Sequence, residues 1–172
     1  VVVTSPNNPT GNLTSVDFVR KLAQATSALV LVDEAYAEFC DAQASCVPLV
    51  AELPNVCVLR TMSKAYALAG ARVGYLICPD DVADCMLAVR LPYSVNRMSQ
   101  VVAETVVEMR AEFAPVIEAV REERSRLTEA LENLATELAA SLPDGADGLR
   151  VWPSEANFVM VRFPGQASGL PC

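Results

Sequence analysis

Three short runs of uninterrupted apolar residues stand out along the first half of the chain: Leu29-Val30-Leu31-Val32, Val56-Cys57-Val58-Leu59 and the stretch 73–78. None of them alternates apolar with polar, and segments with helical spacing separate them. That pattern predicts strands buried on both faces of an α/β sheet. A β-branched run over 1–4 predicts a further strand. It stops at Ser5-Pro6-Asn7-Asn8-Pro9-Thr10-Gly11, where two prolines, two asparagines and a glycine require a loop. Thr14-Ser15 with Asp17 then predicts a helix start, and Phe18, Val19, Leu22 and Ala23 follow at helical spacing.

Further helices are predicted over 80–90, 99–110 and 116–142. The last carries an apolar stripe, Leu127, Leu131, Leu134 and Leu138, which predicts packing against a small sheet in preference to a coiled coil. Pro143-Asp144-Gly145 ends it. Strand-like runs follow over 149–152 and 157–163, and a tail from 164, rich in Gly, Pro and Ser, is expected to fray. Strand and helix alternate before the region 92–110, and a long helix with two late strands comes after it. The expected division is therefore 1–105, part of a large domain, and 106–172, a linking helix with part of a smaller α+β domain.

At 172 residues the chain can hold one domain, or a domain and a piece of a second. It begins Val1-Val2-Val3, which reads as the inside of a strand, so a fragment is expected. A formal charge of −8 disfavours nucleic acid, since no basic patch is visible to oppose it. The acidic residues between 104 and 137 read as the wet side of helices. Charged residues interrupt every apolar run before it could cross a bilayer. Six cysteines lack the Cys-x-x-Cys spacing, and with no histidine present no metal site is expected. A reducing, cytoplasmic setting follows, a plastid one staying open. The same lack of histidine removes any mechanism of this chain that needs an imidazole base.

Lysine occurs twice. Lys21 lies on the polar side of the first helix and reads as a solvated charge. Lys64 follows Ser63 just beyond a buried strand, where desolvation and positive charge from Arg60 and Arg72 would favour the neutral amine a Schiff base needs. A pairing of Lys64 with Asp33 is the plain alternative. Likewise Asp33 and Glu34 alone would read as strand-end charges, Tyr36 as a core aromatic and Asn8 as a turn former.

Order and spacing change those weights. Ser5-Pro6-Asn7-Asn8-Pro9-Thr10-Gly11, then Val32-Asp33-Glu34-Ala35-Tyr36, then Arg60-Thr61-Met62-Ser63-Lys64-Ala65-Tyr66-Ala67-Leu68-Ala69-Gly70-Ala71-Arg72-Val73-Gly74-Tyr75 occur in succession. Leu91-Pro92-Tyr93-Ser94-Val95-Asn96 and Pro153-Ser154-Glu155-Ala156-Asn157-Phe158 follow. The succession covers nearly the whole chain and resembles the fold-type-I, pyridoxal-phosphate-dependent aminotransferases, most closely the histidinol-phosphate aminotransferases.

The resemblance implies a three-layer, mostly parallel sheet belonging to the large domain of that fold, in part, plus part of the smaller C-terminal domain. It implies pyridoxal 5'-phosphate as cofactor, with Lys64 taking the cofactor aldehyde and later moving the substrate proton. Asp33 would face the pyridine nitrogen, and Tyr36 and Asn8 the ring hydroxyl. Arg72 and Ser63 would hold the phosphate. Thr61 stands evenly between that task and a structural one. The implied reaction moves an amino group between L-histidinol phosphate and 2-oxoglutarate, in histidine biosynthesis. An aromatic-amino-acid aminotransferase or a phospho-amino-acid decarboxylase is the alternative enzyme. A cofactor-sensing domain of a transcription regulator, or a truncated product that associates with a complete subunit, is the alternative outside enzymes. The implied partners are a small amino donor, a 2-oxo acid and a second subunit in a homodimer, with no nucleic acid and no membrane. The segment that stacks on the cofactor ring and the arginine that clamps the substrate carboxylate are both missing from this sequence, and Arg162 is not assigned the latter role. The chain alone is therefore not expected to turn over.

Overall fold

The structure is a computed structural model, and it describes residues 1–140 and 148–163. Four strands form one sheet in chain order: β1 (Val2–Thr4), β2 (Val30–Asp33), β3 (Val56–Thr61) and β4 (Gly74–Ile77). The first three run parallel and β4 runs antiparallel to β3. Parallel neighbours need a crossover. Between β1 and β2 it is α1 (Val16–Gln24), and between β2 and β3 it contains the single turn α2 (Val47–Val50).

The helix start was read correctly from the sequence. Ser15 caps α1, its hydroxyl accepting from the Phe18 amide at 3.2 Å. Val19 and Ala23 on its inner face are buried, and they meet Val30 and Val32 of β2, Val56 and Val58 of β3, and Cys46 and Leu49 around α2. This one-sided core holds the sheet. Strands buried on both faces were expected, and only β3 meets that expectation, with Val56, Cys57 and Val58 all buried. In β2 the opposite face, Leu31 and Asp33, is half-buried. In β4 Gly74 and Tyr75 are exposed, because that strand lies at the sheet edge.

The antiparallel β4 fixes where the chemistry lies. Residues 62–73 leave the carboxyl end of β3 and return at the amino end of β4, so the whole segment carrying Ser63, Lys64 and Arg72 sits at one end of the sheet. The same end holds Asp33, the last residue of β2.

Helices α3 (Asp80–Val89), α4 (Arg97–Glu108) and α5 (Ala114–Ala139) follow, within a turn or less of the predicted bounds. The predicted end of α5 at Leu142, the Pro143-Asp144-Gly145 turn and the tail from 164 lie outside the described residues. Only half of the leucine stripe lies on the inward face of α5: Leu127 and Leu134 are exposed, while Leu131 and Leu138 are half-buried. Ile117, Val120, Arg124 and Thr128 share that half-buried face. Arg124 sets that rotation, donating to the carbonyls of Phe39 at 3.3 Å and Ala156 at 3.0 Å and to the Glu155 carboxylate at 3.1 Å. Of the two late strand-like runs only β5 (Arg150–Val151) and β6 (Val161–Arg162) pair, antiparallel. The Trp152 amide donates to the Met160 carbonyl at 3.0 Å, and residues 153–158 bend away to dock on the large sheet's loops, as described below. No helix among the described residues is long and apolar enough to cross a membrane.

Leu49 is fully buried where α2 meets β2 and β3. Leu49→Ala is expected to cost about 2–5 kcal/mol by leaving a cavity. Urea unfolding should give a lower midpoint with an unchanged slope.

Candidate active site

A cavity of about 350 Å³ opens at the carboxyl ends of β2 and β3, where ligands of open α/β sheets sit. Asp33, Arg60, Thr61, Ser63, Lys64 and Arg72 line it. Tyr36 and Asn8 stand beside it. The Asn8 amide donates to the Tyr36 hydroxyl at 2.9 Å, and the Lys64 ammonium lies 5.4 Å from the centre of the Tyr36 ring. All seven residues singled out in the sequence are thus brought together, from four separate stretches of chain.

Each is placed by a local cause. Asp33 ends β2 with its carboxylate accepting from the Ala35 amide at 3.0 Å, an Asx turn that stops the strand. The Thr61 hydroxyl donates to the Ser63 hydroxyl at 3.0 Å and accepts from the Ser63 amide at 3.2 Å, which folds the chain back at the strand end. Arg72 adopts the left-handed conformation (φ 56°, ψ 42°) where it closes a single 3-10 turn, and its guanidinium donates to the Ala69 carbonyl at 3.1 Å. Tyr36 is buried among Phe39, Ala65 and Ala156, so it is a core aromatic as well as a hydroxyl at the cavity.

The plain alternatives resolve individually. Lys21 pairs with Asp17 at 2.7 Å and is well exposed, as its position on α1 predicts. Among the described residues Lys64 forms no ion pair with Asp33. It is exposed, so the desolvation expected of it is not supplied by its own neighbours. Asp33 and Glu34 part company: Asp33 lines the cavity, whereas Glu34 is 1% exposed and enters an ion pair on the other side of the strand.

That ion pair corrects the expectation for Arg60. Its guanidinium meets Glu34 at 2.7 Å and Glu38 at 2.9 Å, and also donates to the Ser45 hydroxyl at 3.1 Å. Burial works against its charge, but Glu34 and Glu38 outweigh that and hold its pKa above the ordinary guanidinium value. One positive charge is offset by two negative ones, so Arg60 does not supply free positive charge to Lys64. The cysteines offer no rival nucleophile in the core. Burial pushes the Cys40 thiol up to about 12 and the Cys46 thiol up to about 11, well into the inert range.

Sequence reading missed the way the segment 153–158 closes one side of the site. Gly11 sits at φ 75°, and a Cβ there would fall 2.3 Å from the Ser154 hydroxyl oxygen. The Gly11 carbonyl accepts from the Glu155 amide at 2.8 Å, and the Phe158 ring meets the Tyr36 ring edge-on at 5.2 Å. The signals in the sequence were the glycine at the end of the Pro/Asn loop and the motif stretch 153–158, but neither told that the two meet.

Comparison with known proteins identifies the family and the fold. The family model for aminotransferase class I and II matches residues 1–168. The chain belongs to that family. It is 38% identical over 162 residues to a histidinol-phosphate aminotransferase of Chlorobium luteolum, covering 94% of this chain and 42% of that protein. To the histidinol-phosphate aminotransferase of Mycobacterium avium it is 42% identical over 161 residues, covering 93% and 37%. The chain therefore spans about two-fifths of the length of the curated relatives it matches. Among solved structures, histidinol-phosphate aminotransferase from Sinorhizobium meliloti in complex with pyridoxal-5'-phosphate superposes with a TM-score of 0.77 at 29% identity, covering 94% of this chain and 41% of that one. An L-threonine-O-3-phosphate decarboxylase from Porphyromonas gingivalis has a TM-score of 0.78 at 22% identity, covering 96% and 47%, a likeness of fold alone. The fold is thus that of the fold-type-I aminotransferases, present here in part.

Gly11→Ala should loosen the docked segment 153–158, through the strained backbone and the clash with Ser154, at about 1–3 kcal/mol. Faster amide exchange confined to 153–158 and the 5–11 loop, together with a lower urea midpoint, is the expected result.

Proposed function

We propose that the protein to which this chain belongs is a pyridoxal-phosphate-dependent aminotransferase that moves an amino group between L-histidinol phosphate and 2-oxoglutarate, in histidine biosynthesis. The observation that carries the proposal is the grouping of Lys64, Asp33, Arg72 and two hydroxyls around one cavity of about 350 Å³. The donor set suits this cofactor. It offers an exposed primary amine for an aldehyde, a carboxylate for a ring nitrogen, and a guanidinium with hydroxyls for a phosphate. When bound, the cofactor supplies an electron sink for the substrate α-carbon.

The protein's residues do the rest. Lys64 would take the aldehyde carbon through Nζ and, once the substrate amine displaces it, move the proton at the substrate α-carbon as general base and acid. The Asp33 carboxylate would keep the ring nitrogen protonated. The Asn8 amide and Tyr36 hydroxyl, already bonded to each other, would hold the ring oxygen. Arg72 and Ser63, with Thr61 behind Ser63, would hold the phosphate.

Histidinol phosphate is preferred over the alternatives on identity. Over the aligned residues, two curated relatives of that name are 38% and 42% identical to this chain. A homodimer and the division of the chain at residue 105 belong to the same proposal, as does a cytoplasmic location.

The test uses the full-length protein, mixed with pyridoxal phosphate, reduced with borohydride and mapped by peptide mass. Label is expected at Lys64 and absent from Lys64→Ala. Label at Lys21 instead would overturn the assignment. Turnover should be faster with L-histidinol phosphate than with phenylalanine, and no turnover should be seen with threonine phosphate. Lys64→Ala should lower turnover by about 10²–10⁴-fold, the usual weight of a positioned proton-transfer group.

A further inference from the structure

The groups around the cavity come largely from two stretches of backbone that have no local covalent reason to stay together: the end of β2 with Asp33 and the turn after it with Tyr36, and the end of β3 leading to Lys64. Backbone pairing between β2 and β3 stops at the hydrogen bond from the Glu34 amide to the Leu59 carbonyl, 2.9 Å. Past that point side chains take over. Arg60 Nε donates to Glu34 Oε2 at 2.9 Å, Arg60 Nη1 to Glu38 Oε1 at 2.9 Å, and Arg60 Nη2 to Ser45 Oγ at 3.1 Å. Ser45 Oγ in turn donates to Glu34 Oε2 at 2.9 Å. The side chains of Arg60, Glu34 and Glu38 are 15%, 1% and 9% exposed, so the bridge is shielded from water and salt. Glu34 is the neighbour of Asp33, Arg60 is the neighbour of Thr61, and Glu38 lies two residues after Tyr36 in the 3-10 turn Ala37–Phe39.

We infer that Arg60 is a positioning residue for the cofactor site, its guanidinium fixing the separation of Asp33, Tyr36 and the Thr61–Lys64 segment through Glu34 and Glu38. A fork of directed N–H groups does this where a single ammonium cannot, because three acceptors in different directions must be met at once. The inference rests on the proposed cofactor role of Lys64 and Asp33 and adds to it a group whose side chain acts through Glu34 and Glu38.

The experiment compares full-length wild type and Arg60→Lys by three readouts: melting temperature without cofactor, dissociation constant for pyridoxal phosphate, and the visible circular dichroism of the bound cofactor. The last reports ring orientation and not the stability of the fold. Arg60→Lys is expected to weaken cofactor binding by about tenfold or more, as loss of a supporting shell does, and to diminish or invert the visible band. Binding within about twofold of wild type and an unchanged band, with only a lower melting temperature, would overturn the inference and leave the network a purely structural one. Should Arg60→Lys not fold, Ser45→Ala removes one arm of the fork without removing charge, and the same two cofactor readouts decide in the same sense. Wild type that takes no cofactor at Lys64 would instead bring down the proposed function beneath it.

Discussion

The parallel pairing of β2 with β3 is the constraint on which the site depends. Asp33 stands opposite Leu59, and side chains alternate across the sheet, so Asp33 faces the cavity while Glu34 faces the buried side. A slip of one residue would exchange them, burying the short carboxylate without Arg60 and placing the long one at the cavity. The core prevents the slip. Val30 and Val32 must face α1 and α2, and the same valines fix which way Asp33 points. A packing requirement some way below the cavity thereby decides which carboxylate faces it.

Burying Glu34 carries a large desolvation cost that only good partners offset. Arg60, Ser45 and the Cys46 amide all bond its carboxylate. Ion pairs of this kind add little net stability over an apolar replacement, while losing one partner strands a charge at about 3–5 kcal/mol. Specific geometry is what such a pair offers in exchange, and here the geometry held is that of the strand ends carrying Asp33 and Thr61. The trio of Arg60, Glu34 and Glu38 also carries an excess of negative charge, so the positive charges at the cavity, Lys64 and Arg72, face a region that does not repel them.

Much of this was legible in the sequence, and the reasons differ by element. Strands β1 to β3 are β-branched runs that end on a turn former or a charge, and α1 has a capping serine with apolar residues at helical spacing. Lys64 stood out because the chain has so few lysines and because its motif follows a strand. What could not be read was set by distance. Arg60 meets partners 26, 22 and 15 residues away, and a charge next to a strand end looks the same whether it is paired or free. Strand β4 reads like its neighbours because direction leaves no mark on an apolar run. The short α2 was overlooked although Pro48 in its first turn announced it. On α5 the leucines located only half of the inward face, Leu131 and Leu138, and Arg124, with three hydrogen-bond partners on other segments, marks the rest of it.

Departures from local rules also gather around the cavity. Among the described residues three that are not glycine have positive φ, and two of them, Ala67 and Arg72, lie on the loop between β3 and β4. Glu38 Oε2 is buried with no hydrogen-bond partner, a condition worth about 1–3 kcal/mol of destabilisation. Strain of this kind persists only where the surrounding fold over-determines it, and it concentrates where a side chain must be aimed for a purpose other than stability. Here the surrounding fold is the β2–β3 pairing and the Arg60 bridge, which hold the loop ends rigidly enough for Arg72 to sit in a conformation that its sequence alone would avoid. Backbone strain and buried charge thus converge on the same strand ends, the strain through backbone geometry that owes nothing to the identity of the lysine.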